Sequence, residues 1–150
     1  MIAYVLSFIM LIVLDTNILY QALRSKNGAS HIILKMIRNQ EISLAISIPV
    51  FSEYEDVLKR KETLYDLDLL PADIDKVLDF IAYIGKPFDI YYLQRPNLRD
   101  ESDNKFIELA VASNSEYILT RNINDYIIDN QLKYDDLKIV NPADFIKLWR

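Results

Sequence analysis

The sequence predicts an α/β fold with a mainly parallel central sheet of four to five strands, covered by helices on both faces. Short, continuously apolar segments alternate along the chain with segments whose apolar residues recur every three or four positions. Of the 150 residues, 51% are hydrophobic and 26% charged, a balance typical of ordinary globular domains. We expect a single domain over residues 1–150 with its core at about 11–146.

The first strand is predicted at Leu11–Leu14, because buried parallel strands are continuously apolar rather than alternating. Residues 1–9 either extend this strand or precede a natural start at Met10. The whole apolar stretch Met1–Leu14 is shorter than the ~20 residues that a membrane-spanning helix needs, so no membrane attachment is expected.

Two helices and a second strand come next. A short helix is predicted over Asn17–Arg24, and Ser30 can cap a second helix. That second helix has one apolar face formed by Ile32, Ile33, Met36 and Ile37. Leu44–Ile48 is predicted as a buried strand, followed by a helix with Pro49 in its first turn that runs to Lys59.

The second half of the chain continues the alternation. The predicted elements are a helix from Pro71 that Gly85 stops, a third strand at Phe88–Tyr91, a helix at Asp103–Ser113, strands at Tyr117–Thr120 and Leu137–Val140, and a final helix capped by Asn141-Pro142 that ends at Trp149.

Composition limits the chemistry that the chain can perform. Without cysteine, it has neither disulfides nor thiolate sites, which fits a reducing, cytoplasmic location. The single histidine, His31, cannot build a histidine-rich metal site, so metal ligands would be oxygens and the metal Mg²⁺ or Mn²⁺. A net charge of −5 argues against non-specific duplex binding through the surface at large.

Acidic residues follow the predicted strands. In parallel α/β sheets, ligands bind beyond the carboxyl ends of the strands. Asp15 directly follows the first strand, where it is either a helix N-cap or a metal ligand. Glu53 lies one turn into the helix after the second strand, where it either favours the helix N-terminus or joins the same site.

Two further acidic groups occupy equivalent positions. Asp100 and Asp103 lie just before and at the start of the helix predicted at Asp103–Ser113, and Asn122 and Asp125 follow the fourth strand. Each is explained singly by helix capping, but four strand-to-helix junctions deliver oxygen ligands to one sheet edge. Asp15 and Asp103 are therefore expected to lie close together, with a divalent cation offsetting their repulsion.

At these residues the chain resembles the PIN domain family, and within it the toxins of toxin–antitoxin pairs similar to the VapC group. The matching segments lie in order over about residues 11–146, nearly the whole chain. They are Val13–Leu19 (VLDTNIL), Ser52–Leu58 (SEYEDVL), Arg99–Phe106 (RDESDNKF), Tyr117–Asn122 (YILTRN) and Asp125-Tyr126.

The resemblance implies a three-layer α/β/α sandwich and Mg²⁺- or Mn²⁺-dependent cleavage of RNA by metal-assisted phosphodiester hydrolysis. The family's metal-binding acids map onto Asp15 and Asp103, with Glu53 beside them. The fourth position maps onto Asn122 or Asp125, and Asn122 stands where many relatives have an acid.

Several supporting roles also follow from the resemblance. Asp100 would be an auxiliary acid, and Thr120 a hydroxyl that orients a carboxylate. Arg99 and Arg121 flank the acids, where they either contact RNA phosphates or form surface salt bridges. The expected partners are RNA, a small antitoxin protein and a second copy of the chain in a homodimer.

Two other functions remain open at this point. The first is a catalytically weak or inactive PIN-like module that binds RNA or a protein, which Asn122 and the acidic balance favour. The second is an aspartyl-phosphate phosphotransfer enzyme with Asp15 as nucleophile. Such enzymes generally have a second acid two residues further on, where this chain has Asn17.

Overall fold

A five-stranded parallel sheet organises the computed structural model, which describes residues 9–90, 104–126 and 136–149. The strands lie in the order β3-β2-β1-β4-β5, so the first strand of the chain is the central one. They span Leu11–Leu14 (β1), Ser43–Ile46 (β2), Lys86–Pro87 (β3), Tyr117–Leu119 (β4) and Lys138–Val140 (β5). This confirms the predicted fold class.

The helices alternate with the strands and complete the α/β/α arrangement. In the described parts of the chain they span Thr16–Arg24 (α1), Ala29–Arg38 (α2), Ile48–Leu58 (α3), Lys61–Leu67 (α4), Pro71–Ile84 (α5), Asn104–Ser113 (α6) and Pro142–Trp149 (α7), with a 3₁₀ turn at Ile123–Tyr126. Among these helices, none combines the length and apolarity that a bilayer crossing requires.

The core is centred on β1. Ile12 and Val13 have no exposed surface, and β4 contributes the equally buried Ile118 and Leu119. The parallel register pairs Leu14 with Leu119. It also places the residue after β1 beside the residue after β4, and the Asp15 amide donates to the Leu119 carbonyl at 2.9 Å.

The boundary after β2 differs from the prediction. We expected the strand to reach Ile48, but it ends at Ile46, and Ile48 is already the first residue of α3. The reason is capping: the Ser47 hydroxyl accepts a hydrogen bond from the Val50 amide at 3.3 Å. A capped Ser47 requires the backbone to leave the strand before Ile48.

The predicted position of the third strand was also wrong. It occupies Lys86–Pro87, and no strand is present at residues 88–90, while Tyr91 lies outside the described residues. Pairing with β2, with Ala45 opposite Lys86, decides the position, and both β3 residues are exposed. A proline is tolerated here because β3 is an edge strand.

Two helices differ from expectation in smaller ways. Ser30 lies inside α2, whose N-cap is Gly28, and Ile32 is 39% exposed although its neighbour Ile33 is fully buried. The apolar face of α2 is therefore narrower than predicted. Gly85 ends α5 as expected, and a Cβ there would lie 2.8 Å from both the Ile46 side chain and the Ile81 carbonyl.

Candidate acidic site

Asp15 is a buried carboxylate at the carboxyl end of the central strand. Its exposed fraction is 6%, and its Oδ2 accepts hydrogen bonds from the Thr120 hydroxyl at 2.8 Å and the Tyr126 hydroxyl at 3.1 Å. Although Asp15 stands at the N-cap of α1, its side chain makes no capping hydrogen bond. Asp15 therefore lacks the hydrogen bond of a regular N-cap, and the backbone amide of Asn17, in the first turn of α1, contributes only by lowering its pKa.

The surroundings of Asp15 disfavour its negative charge. Burial raises the pKa of the Asp15 carboxyl above its ordinary value, and the charge of Glu53 raises it further. The hydroxyls of Thr120 and Tyr126 and the backbone amide of Asn17 lower this pKa, but not enough to offset the effect of burial. The site thus holds a carboxylate at an electrostatic cost that a bound cation would relieve.

Thr120 links three parts of the site through one fully buried hydroxyl. While donating to Asp15, it accepts from the Asn122 amide at 3.1 Å and from the Asn17 side chain at 3.4 Å. Asn17 in turn accepts from the Arg121 amide at 3.2 Å. These bonds fix the ends of β1 and β4 against each other and hold Thr120 where it orients Asp15.

Glu53, on α3, provides the second carboxylate. Its Oε2 accepts from the Thr16 hydroxyl at 2.8 Å, and its Oε1 accepts from Lys105 Nζ at 2.9 Å. The side chain is 17% exposed. Thr16 directly follows Asp15, so its bond to Glu53 brings the two carboxylates predicted from distant parts of the sequence to the same end of the sheet. The charge of Glu53 also raises the pKa of Asp15.

A buried tyrosine supports the turn between β1 and α1. The Tyr54 hydroxyl donates to the Leu14 carbonyl at 2.6 Å, and the ring has no exposed surface. Burial, together with the charges of Asp15 and Glu53, raises the pKa of Tyr54 well above its ordinary value. Tyr54 is therefore a neutral donor that fixes the backbone immediately before Asp15.

The residues after β4 line a polar cleft. Arg121, Asn122 and Asp125 border it together with Asn141, which follows β5. Arg121 is exposed and donates to the Gln21 side chain at 2.9 Å. Asn122 contributes its backbone amide to the Thr120 network, and the amide of Asp125 donates to the Asn122 carbonyl at 3.0 Å.

Three predicted site residues, Arg99, Asp100 and Asp103, lie outside the described residues. The expected proximity of Asp15 and Asp103 therefore stays a prediction. Within residues 9–90, 104–126 and 136–149, no group of three or more histidine or acidic side chains is arranged to hold a metal ion. The described part of the site contributes the carboxylates of Asp15 and Glu53, and Asp125 borders the cleft that follows β4.

The donor set fits a hard divalent cation. Its available ligands are carboxylate oxygens, which Mg²⁺ and Mn²⁺ prefer, and the described residues place no sulfur or imidazole beside Asp15. A bound cation would favour the charged form of the Asp15 carboxyl and so lower the pKa that burial raises.

Three residues that contact the predicted acids were not identified by sequence reasoning. Thr16, Lys105 and Tyr126 belong to the matching segments, but Thr16 was considered only as a helix cap, and Lys105 and Tyr126 were given no role. Only their positions gave a signal, since each lies within two residues of a predicted acid. Their contacts with Glu53 and Asp15 span 37 to 111 residues of sequence and depend on the sheet register.

Fold and site together define a parallel α/β protein with a carboxylate site at the carboxyl edge of its sheet. The family model of the PIN domain matches residues 11–124. The chain belongs to the PIN domain family, whose members are generally nucleases.

A solved structure shares this fold. It is the crystal structure of VapBC2 from Rickettsia felis bound to a DNA fragment from their promoter. The match has a TM-score of 0.55 at 22% sequence identity and covers 87% of this chain and 98% of that chain. Comparison with curated proteins gives no match.

Proposed function

We propose that this chain is a metal-dependent endoribonuclease that hydrolyses RNA phosphodiester bonds, the toxin of a type II toxin–antitoxin pair. The observation that carries the proposal is the Asp15 carboxylate. It is buried at the carboxyl end of the central strand and held by two hydroxyls, at 2.8 Å and 3.1 Å. A buried acid that makes no regular capping hydrogen bond and whose pKa is raised fits a cation ligand.

Asp15 and Asp103 would hold Mg²⁺ or Mn²⁺, with Glu53 and Asp125 as the further acids of the site. When bound, the ion supplies neutralisation of the phosphoryl charge and a lowered pKa for a bound water. Thr120 and Tyr126 restrict Asp15 to one orientation.

The remaining residues act on the second acid and on the substrate. Thr16 and Lys105 restrict Glu53. Arg99 and the exposed Arg121 would meet RNA phosphates, for which a guanidinium is well suited. Asp100 and Asn122 are proposed as auxiliary residues.

An antitoxin partner and a homodimer complete the proposal. The solved VapBC2 structure has the same fold and is a complex bound to promoter DNA, which supports a protein partner for this chain. A short reading frame that lies beside the gene of this chain and encodes a DNA-binding protein would supply the candidate antitoxin. Co-purification of the two chains, with the mass of the complex measured by light scattering, tests both partner and dimer.

The activity is tested on protein stripped of metal by chelation, with a pool of single-stranded and structured RNA. Cleavage should appear on adding Mg²⁺ or Mn²⁺ and should be abolished by Asp15→Asn. Asp79→Asn is the matched control, because it makes the same chemical change at an exposed position on α5. Full activity of the Asp15 variant would show that the site is wrongly assigned.

A second candidate function is a PIN-like module that binds RNA or a protein without cutting. It is favoured by Asn122 in a position where many relatives have an acid, and by the pairing of Glu53 with Lys105. The same RNA pool distinguishes the two functions. Binding measured by fluorescence anisotropy, with no cleavage under either metal, would support the module and contradict the nuclease.

A further inference from the structure

Lys105 brings a positive charge into the acidic site. Its Nζ lies 2.9 Å from Glu53 Oε1, with the lysine side chain 30% and the glutamate side chain 17% exposed. By comparison, Lys59 is 31% exposed and pairs with Glu55 and Asp75, which are 52% and 57% exposed. Glu53, the acid paired with Lys105, is therefore less exposed to solvent than the two acids paired with Lys59.

The charge of Lys105 acts on more than one partner. Glu53 raises the pKa of the Asp15 carboxyl, so any charge that neutralises Glu53 also affects Asp15. With Lys105 present, the two carboxylates and the ammonium carry one net negative charge instead of two. A divalent cation arriving at Asp15 then meets a weaker attraction, and it finds both oxygens of Glu53 already hydrogen-bonded, Oε1 to Lys105 and Oε2 to Thr16.

We propose that Lys105 is a tethered counter-cation of the site: it occupies Glu53 when no divalent ion is bound and lowers the affinity of the site for that ion. The proposal rests on the proposed function, because it concerns the same cation. Lys105 is a positioning residue, which acts through Glu53. It sets the divalent concentration at which the site fills.

The size of the effect follows from simple electrostatics. Taking a separation on the order of 6 Å between the ammonium and a divalent ion, in a medium as polar as water, a unit charge changes the affinity for that ion about tenfold. Removing the charge of Lys105 should therefore tighten divalent binding by roughly that factor. A purely structural ion pair would change stability and leave ion affinity as it was.

The test is Mn²⁺ binding to the full, chelator-stripped chain, measured by calorimetry and by the rise in melting temperature that Mn²⁺ causes. Lys105→Gln should bind Mn²⁺ about tenfold more tightly than the unaltered protein. Lys105→Arg keeps the charge and should retain the original affinity. Lys59→Gln is the matched control, equally exposed and also ion-paired, and should not change the affinity.

The outcomes separate the inference from the function on which it rests. Equal Mn²⁺ affinity of Lys105→Gln and the unaltered protein would overturn the counter-cation role while leaving the metal site in place. Mn²⁺ binding that is undetectable in the unaltered protein and in Lys105→Gln would remove both the site and the role. Tighter binding in Lys59→Gln as well would show a general charge effect and would also overturn the role.

Discussion

Thr120→Val tests the network around Asp15 with a substitution that keeps the shape of the side chain. It removes the 2.8 Å hydrogen bond to a carboxylate that is 6% exposed. Hydrogen bonds to charged groups contribute about 1.5–3 kcal/mol. The lost acceptor for the Asn122 amide and the Asn17 side chain adds less, because neither residue is fully buried. We expect the free energy of unfolding to fall by about 2–3 kcal/mol.

The measurement is urea denaturation followed by circular dichroism, in buffer containing a chelator. Thr63→Val is the control, since Thr63 is 5% exposed, lies on α4 and makes no described contact with Asp15. We expect that variant to differ from the unaltered protein by less than about 1 kcal/mol. Equal losses in the two variants would refute the role assigned to the Thr120 hydroxyl.

The pH dependence of the Thr120→Val effect adds a second criterion. The Thr120 bond lowers the pKa of the Asp15 carboxyl, so it favours the charged form, and its loss costs most when Asp15 is charged. The difference between Thr120→Val and the unaltered protein should be largest at neutral pH. It should shrink as the pH falls through the raised pKa of Asp15. A difference constant from about pH 8 to about pH 4 would contradict the reasoning.

Two further predictions concern stability. Asp15→Asn should raise the melting temperature at neutral pH without metal. The pKa of the Asp15 carboxyl is raised in the folded protein, so the protein loses stability as the pH rises from the ordinary value of 3.8 through the raised value. The uncharged asparagine side chain does not cause this loss. A lower melting temperature would refute this. Gly85→Ala should cost about 1–3 kcal/mol in urea denaturation, because its Cβ would lie 2.8 Å from Ile46 and Ile81 atoms. Gly28→Ala, with its nearest atom at 3.3 Å, should cost less, and equal losses would contradict the packing argument.

Sequence patterns predicted the elements whose structure depends on local burial. The first strand lies at Leu11–Leu14 as expected, because a run that is buried on both faces must be apolar throughout. The long helix at Pro71–Ile84 follows its apolar spacing. Helix α4 at Lys61–Leu67 was missed, since a seven-residue helix with one buried residue has almost no periodic pattern.

Elements and contacts that depend on tertiary pairing were not predictable in the same way. The edge strand at Lys86–Pro87 forms because Ala45 and Ile46 of β2 lie opposite it, and nothing in its own composition indicates a strand. In the site, the predicted end of the first strand gave the position of Asp15 in the fold. The Lys105–Glu53 pair joins residues 52 positions apart, and its partner choice depends on how α3 and α6 pack.

The central place of β1 has a consequence for how the protein matures. Asp15 is synthesised well before the hydroxyls that hold it, which come 105 and 111 residues later. A nascent chain in which only β1 and β2 have been synthesised therefore contains the Asp15 carboxylate but not the two hydroxyls that bond to it. The acidic centre is completed only when the β4 segment joins the sheet, so a chain interrupted before that segment is made lacks an organised centre.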